Sequence, residues 1–187
     1  MCFSEKAEKM KETQTPRILI VGASETGKSL LAKSIARDME KRNIAVTVYD
    51  PLVSEWSPES FVSDDEVKFF VEIDKTYKEG LKQAVFVDEA DTLLSIAHKH
   101  NHWLLTRGRH YAIMPHVITQ RPALVAPTVR GMCNQLFVFR TSKEDAKLLA
   151  SDFAHDGILE APTLNQGEFL HCYWKDRQKV VDKGRIF

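Results

Sequence analysis

Short apolar runs mark this chain at Ile18–Val21, Ile44–Tyr49, Ala84–Val87, His116–Thr119 and Leu136–Phe139, with polar or mixed segments between them. Runs without polar alternation belong to strands covered on both faces, so the pattern predicts a mostly parallel sheet with helices on each side. Helical spacing is strongest over Lys28–Arg42, Lys75–Lys82, roughly His102–Tyr111, and Ser142–Phe153. In the first of these, Leu31, Ile35 and Met39 recur at every fourth position and form one core-facing stripe. Pro51 to Asp65, with Pro58 and several Ser, Glu and Asp, reads as a surface loop. Beyond Gly157 the pattern changes. Gly167–Trp174, a polar turn over 175–178 and Lys179-Val180-Val181 predict an antiparallel hairpin. No internal repeat or low-complexity linker interrupts the series.

The join between the first strand and the first helix carries the most specific chemistry. Gly22-Ala23-Ser24-Glu25-Thr26-Gly27-Lys28-Ser29 fits G-x-x-x-x-G-K-[ST], a loop that cradles phosphate. Gly22 and Gly27 allow the tight turn that aims successive N–H groups at one anion. Leu30 continues into the helix, whose positive end adds to the field. Lys28 is suited to reach β- and γ-phosphates, and Ser29 to hold magnesium. Such a match can arise by chance, but here the flanking elements are those the motif requires. The segment predicts a nucleoside triphosphate site.

A further apolar strand, Ala84–Val87, ends in Asp88-Glu89, with Asp88 60 residues after Lys28. Strands often end in surface acids. Paired with the phosphate loop in this order, however, the two acids read as a Walker B element. Asp88 would hold magnesium through water beside Ser29, and Glu89 would polarise an attacking water. The second acid argues against a small-molecule kinase, where activated water would waste the phosphoryl group. The next buried strand closes with Thr119-Gln120-Arg121-Pro122. Carboxyl ends of parallel strands share one rim, which brings Gln120 to the crevice of Gly22 and Asp88. Its amide can bond both a γ-phosphate and a water; standing alone, it could equally cap the strand. Asp50-Pro51, ending the second strand, is read as opening a loop rather than as touching the nucleotide.

Composition narrows the class. A chain of 187 residues suffices for one α/β domain and is too short for two ordinary ones. The expected division is a polar N-terminal arm over 1–15 and a single domain over 16–187. No apolar stretch approaches a membrane span, and the N-terminus lacks a signal-peptide core. Cys2, Cys133 and Cys172 are unpatterned, which points to a reducing, cytoplasmic setting without disulfides or a zinc cluster. Net charge is zero, yet Thr92 to Lys143 contains no Asp or Glu, where simple proportion would place about seven. Lys99, Arg107, Arg109, Arg121, Arg130, Arg140 and Lys143 fall in that span, with five of the seven histidines. A neutral total thus conceals a one-signed region able to meet a polyanion, a bound nucleotide or a neighbouring subunit.

Taken with VGASETGKS and AVFVDEAD, the stretch TRGRHYAIMPHVITQRPALVAPTVRGMCNQLFVFR resembles the FtsK–HerA superfamily of P-loop ATPases that pump DNA. The likeness covers about Arg17 to Phe153, and the terminal GEFLHCYW has the same flavour. It implies an α/β P-loop NTPase fold of RecA/FtsK type, a mostly parallel sheet flanked by helices with a C-terminal β-hairpin. By the same likeness Lys28 and Ser29 bind ATP and Mg2+, Asp88 holds the metal, Glu89 activates water and Gln120 senses the γ-phosphate. An arginine would act on a neighbouring subunit's nucleotide. Arg109 is the first candidate, because its helix lies between the Walker B and sensor strands; Arg130 is second, with Arg107 and Arg121 behind.

The bare core most resembles the genome-packaging ATPases of tailless, membrane-containing double-stranded DNA viruses. Filamentous-phage assembly or export ATPases are the alternative, and a kinase or nucleotide-dependent switch stands further off. The implied partners are double-stranded DNA bound without sequence preference, a homo-oligomeric ring of six, and a capsid-vertex or membrane protein. The acid-free segment would then supply DNA-facing loops, with Lys99, Arg107, His98, His100 and His102 as candidates contacting backbone rather than bases. The alternating histidines also invite a metal reading. On a helix they point about 200° apart, and no Cys or carboxylate completes the set, so a solvated or phosphate-facing loop is favoured. Trp56, Trp103 and Trp174 read as packing or subunit contacts rather than base-stacking platforms.

Overall fold

The computed structural model describes residues 15–187; the polar arm expected over 1–15 lies, but for Thr15, outside the described residues. The strands are β1 (Ile18–Val21), β2 (Ala45–Tyr49), β3 (Phe61–Ser63), β4 (Gln83–Val87), β5 (Ile113–Thr119), β6 (Gln135–Phe139), β7 (Glu168–Lys175) and β8 (Gln178–Arg185). They form one sheet in the order β3-β2-β4-β5-β1-β6-β7-β8. The first six run parallel and the last two form an antiparallel hairpin. Helices α1 (Lys28–Lys41), α2 (Glu66–Lys78), α3 (Trp103–Thr106), α4 (Pro127–Met132) and α5 (Lys143–Phe153) connect them.

The unbroken apolar runs follow from covering the sheet on both faces. Leu19, Val21, Val85, Val87 and Val117 enter one core, and Ile18, Ile20, Ala84, Phe86 and Ile118 the other. Alternate residues therefore go to opposite cores, and none needs to be polar. α1 covers the second core with Ala32 and Ala36 fully buried. The stripe of Leu31, Ile35 and Met39 packs beside them, half-buried.

Three local expectations are corrected. The segment 51–65 is not all loop, since β3 lies within it and pairs with β2 along one edge. α2 begins at Glu66 rather than at Lys75, because Asp65 caps it, accepting from the Val67 amide at 2.8 Å and the Lys68 amide at 3.1 Å. The stretch 102–111 is not one helix. The four-residue α3 stands between tight 3-10 turns at Ile96–His102 and Gly108–Tyr111. The hairpin forms as expected, with Asp176 and Arg177 both at positive φ in its two-residue turn.

The base of the hairpin reaches the loop after β1. The Gly167 amide donates to the Thr26 carbonyl at 3.1 Å and Gln166 Nε2 to the Glu25 carbonyl at 3.2 Å.

Candidate nucleotide site

The phosphate loop is built from backbone first. On leaving β1 the Ala23 amide donates to the Arg140 carbonyl at 2.9 Å, tying the loop to the end of β6. Gly22 passes so close to Phe139 that a Cβ there would stand 2.6 Å from the Phe139 Cβ. Gly27 takes φ 113 immediately before α1, a conformation glycine adopts without steric cost. The Thr26 hydroxyl donates to the Ala23 carbonyl at 2.8 Å, and Lys28 Nζ donates to the same oxygen at 2.7 Å. Burial pulls the Lys28 ammonium below its ordinary pKa, while the nearby Asp88 charge opposes the shift.

Across the rim, the Asp88 amide extends the β2–β4 pairing by donating to the Tyr49 carbonyl at 2.9 Å. The chain then turns sharply, with Glu89 at φ 45 and its amide donating to Asp88 Oδ1 at 2.9 Å. A non-glycine residue held in this region is strained, of the kind that collects at functional sites. Burial pushes the Asp88 carboxyl up. The Glu89 amide hydrogen bond and Lys28 counter it, and the charges of Asp50 and Glu89 add to it.

One cleft of about 130 Å3 joins these parts. It is lined by Ser24, Glu25, Lys28 and Ser29 from the loop, Asp50 and Leu52 after β2, Asp88 and Glu89 after β4, and Thr119 and Gln120 at the end of β5. The strand order explains the convergence: β5 lies between β4 and β1, so Gln120 stands between the acids and the lysine. The donor set fits a nucleoside triphosphate with Mg2+. A buried ammonium and a hydroxyl face carboxylates whose mutual repulsion a divalent cation would relieve. Among the described residues no group of three or more His, Cys, Asp or Glu could cage an ion alone.

Asp50 corrects the reading of a plain loop opening. It does shape the loop, accepting from the Leu52 amide at 2.9 Å, the Ser54 amide at 3.0 Å, the Ser54 hydroxyl at 2.6 Å and Trp56 Nε1 at 3.0 Å. It also lines the cleft. Burial would raise its pKa, but these four hydrogen bonds outweigh burial and hold it low. The signal available in the sequence was an acid ending a strand, the same signal as at Asp88. Thr119 also lines the cleft; its hydroxyl donates to Asp91 and accepts from the Arg121 amide.

The remaining expected residues fall as follows. Leu30 is 47% exposed and does not line the cleft, and Thr26 is buried as a loop brace. Arg109 is exposed beside the start of β5, the end opposite Gln120. A seven-residue strand spans about 20 Å, so Arg109 cannot serve its own subunit's cleft. Arg130 is buried and committed: Nε donates to Asp152 at 2.6 Å and Nη1 to the Pro122 and Val125 carbonyls. That placement removes the second arginine candidate from the surface. Arg107 edges a separate groove beside α2, and Arg121 is exposed just past Gln120.

The three alternating histidines pair with Ser95 or Glu66. His98 Nδ1 pairs with the Ser95 hydroxyl at 2.9 Å, His100 with Glu66 at 3.4 Å, and His102 Nε2 donates to the Ser95 carbonyl at 2.9 Å. Trp56 and Trp103 are packing residues, on Phe86 and Phe70 respectively, and Trp174 is 54% exposed.

A lysine-bearing turn facing a two-acid strand end across one intervening strand is the arrangement of a P-loop NTPase. Residues 18–139 match the ATPase family associated with various cellular activities (AAA), and the chain belongs to that family. No curated protein matches the sequence. Among solved structures, the chain is similar to the genome packaging NTPase B204 of Sulfolobus turreted icosahedral virus 2 in complex with ATP-gammaS. That match has a TM-score of 0.75 and 16% identity, over 92% of this chain and 98% of that one. The DNA-packaging ATPase B204 of Sulfolobus turreted icosahedral virus matches with TM-score 0.72 and 19% identity, over 93% and 100%. The N-terminal domain of zonular occludens toxin from Neisseria meningitidis matches with TM-score 0.56 and 17% identity, over 93% and 96%. At these identities the likeness is one of fold. No helix among the described residues is long and apolar enough to cross a membrane.

Proposed function

We propose that this protein is an ATP-hydrolysing DNA translocase that packages a viral genome, working in the host cytoplasm as a homo-oligomeric ring. The observation that carries the reading is the single cleft in which Lys28, Ser29, Asp88, Glu89 and Gln120 converge. The near-complete mutual coverage with two genome-packaging proteins supports it further.

In this reading Lys28 and the loop amides bind and orient the triphosphate. Ser29 and Asp88 would hold Mg2+, which would supply charge neutralisation at the phosphates. Glu89 accepts the proton of the attacking water, and Gln120 orients that water and reports the γ-phosphate. Arg109 enters from the neighbouring subunit, where such an arginine stabilises the transition state by about 4–7 kcal/mol. The acid-free surface meets the DNA backbone without reading its sequence.

The test is the rate of ATP turnover with and without double-stranded DNA across salt concentrations. Stimulation at low salt that fades steeply as salt rises is expected. Glu89→Gln should bind ATP and fail to hydrolyse it. Turnover indifferent to DNA, or transfer to a small acceptor, would replace the translocase with an extrusion ATPase or a kinase respectively.

A further inference from the structure

A peptide loop offers its amides to a ligand only when its carbonyls face the other way, because C=O and the following N–H point in opposite directions across a planar trans peptide. Two consecutive carbonyls of the phosphate loop are taken by donors from the base of the β7–β8 hairpin. Gln166 Nε2 donates to the Glu25 carbonyl at 3.2 Å, and the Gly167 amide to the Thr26 carbonyl at 3.1 Å. These bonds turn the Thr26 and Gly27 amides away from the hairpin, towards the inside of the loop. Among the described residues neither of these amides meets an acceptor. Glu25 at φ 60 and Gly27 at φ 113 stand on either side of Thr26, and left-handed residues of this kind bend a backbone into a concavity whose amides converge on an anion. Glycine takes such a φ freely and glutamate does not, so the Glu25 peptide depends on an outside hold.

The hold is itself braced. The Glu168 carboxylate accepts from the Asn165 amide at 2.8 Å and from Asn165 Nδ2 at 3.1 Å, and it pairs with Lys183 of β8 at 3.0 Å, which fixes the turn that carries Gln166. Ile186, just past β8, closes the frame. Its amide donates to the Gly167 carbonyl at 2.9 Å, and its Cγ2 lies 3.2 Å from where a Gly27 Cβ would stand. We infer that Gln166 and Ile186 are positioning residues for the triphosphate, and that the hairpin aims the Thr26 and Gly27 amides at the phosphates. The inference rests on the loop being a triphosphate cradle, as proposed above, and not on DNA translocation. It carries a consequence for the bound state. A phosphate drawing on the Gly27 N–H polarises the Thr26 carbonyl of the same peptide unit, which strengthens its bond to the Gly167 amide. The base of the hairpin therefore responds to whether the cradle is filled.

NMR of the full chain labelled with 15N-glycine tests this. The chain has eight glycines, among them Gly27 and Gly167, with Gly131, exposed in α4, as a remote reference. Titration with Mg2+ and pyrophosphate is expected to shift the Gly27 and Gly167 signals together and to leave Gly131 in place. Gln166→Met is close in shape and has no donor; it should raise the dissociation constant of pyrophosphate about fivefold, the factor one lost hydrogen bond carries. Gln166 is exposed, so this variant should melt with the parent. Ile186→Ala should weaken binding in the same direction, and in ATP turnover both variants should raise KM while keeping kcat. A Gly167 signal that stays put while Gly27 shifts, or Gln166→Met protein that binds pyrophosphate like the parent, overturns the inference and leaves the cradle standing. Pyrophosphate that moves neither glycine in the parent removes the cradle and the inference with it. Paired shifts with turnover indifferent to DNA support the inference and remove the translocase alone.

Discussion

Gly22→Ala adds one methyl where the phosphate loop leaves β1. The new Cβ would stand 2.6 Å from the Phe139 Cβ and 2.8 Å from Thr26 Oγ1, roughly 1 Å inside the usual 3.5–4.0 Å contact between carbon atoms. Phe139 is wholly buried in β6 and cannot yield, so the loop must. Overpacking of this kind costs about 1–3 kcal/mol, and each kcal/mol lowers Tm by about 2–4 °C in a domain of this size. The functional loss should be larger. Ala23, the next residue, supplies the oxygen that holds both Thr26 and Lys28, and a shift of about 1 Å in a catalytic group can cost on the order of 100-fold in rate. Gly131→Ala is the control, because Gly131 is exposed in α4 and its Cβ would meet nothing within 4 Å. That variant should be neutral or stabilised by up to about 1 kcal/mol. Thermal unfolding, ATP titration and phosphate release measure all three quantities. Gly22→Ala protein that melts beside Gly131→Ala and turns over ATP at the parent rate would refute the clamp between Thr26 and Phe139.

Arg130→Ala should lose about 3 kcal/mol in denaturant unfolding, since it strands Asp152 and two carbonyls; unchanged stability with lost turnover would restore it as a trans arginine. His116 is fully buried and stacked on Phe86 at 4.2 Å, and burial lowers its pKa to about 4, with hydrogen bonds to Met114 and Val85 opposing. The unfolded chain takes up that proton from about pH 6.5 while the native protein does not, so stability falls as pH drops through this window, by about 3 kcal/mol at pH 4. His116→Phe should flatten that part of the pH profile, and a slope equal to the parent's would reject the assignment. Asp50→Ala removes four hydrogen bonds to the 52–56 loop and should cost about 2–4 kcal/mol. The readouts are a red shift of Trp56 fluorescence and weakened ATP binding, and an unshifted spectrum would deny Asp50 its bracing role.

The parallel strands, the glycine loop before α1 and the paired acids closing β4 are legible in the sequence, because each is a local pattern. A strand buried on both faces has to be apolar throughout, and a loop that aims amides at phosphate needs Gly22 and Gly27 at fixed spacing. The start of α2 was hidden because Val67, Phe69, Phe70 and Val71 crowd apolar residues onto several sides of one helix, two of them exposed. β3 was hidden because its three residues owe their conformation to the edge of β2, not to their own propensity.

Which strand ends are neighbours follows from the order of strands in the sheet. That order drew Asp50 into the cleft, sent Arg109 to the opposite rim and sank Arg130 against Asp152. An acid or arginine at an element's end looks alike in sequence whichever way it faces. Its role is set by the strand order and by what packs on either side, and these arise from contacts between residues far apart in the chain.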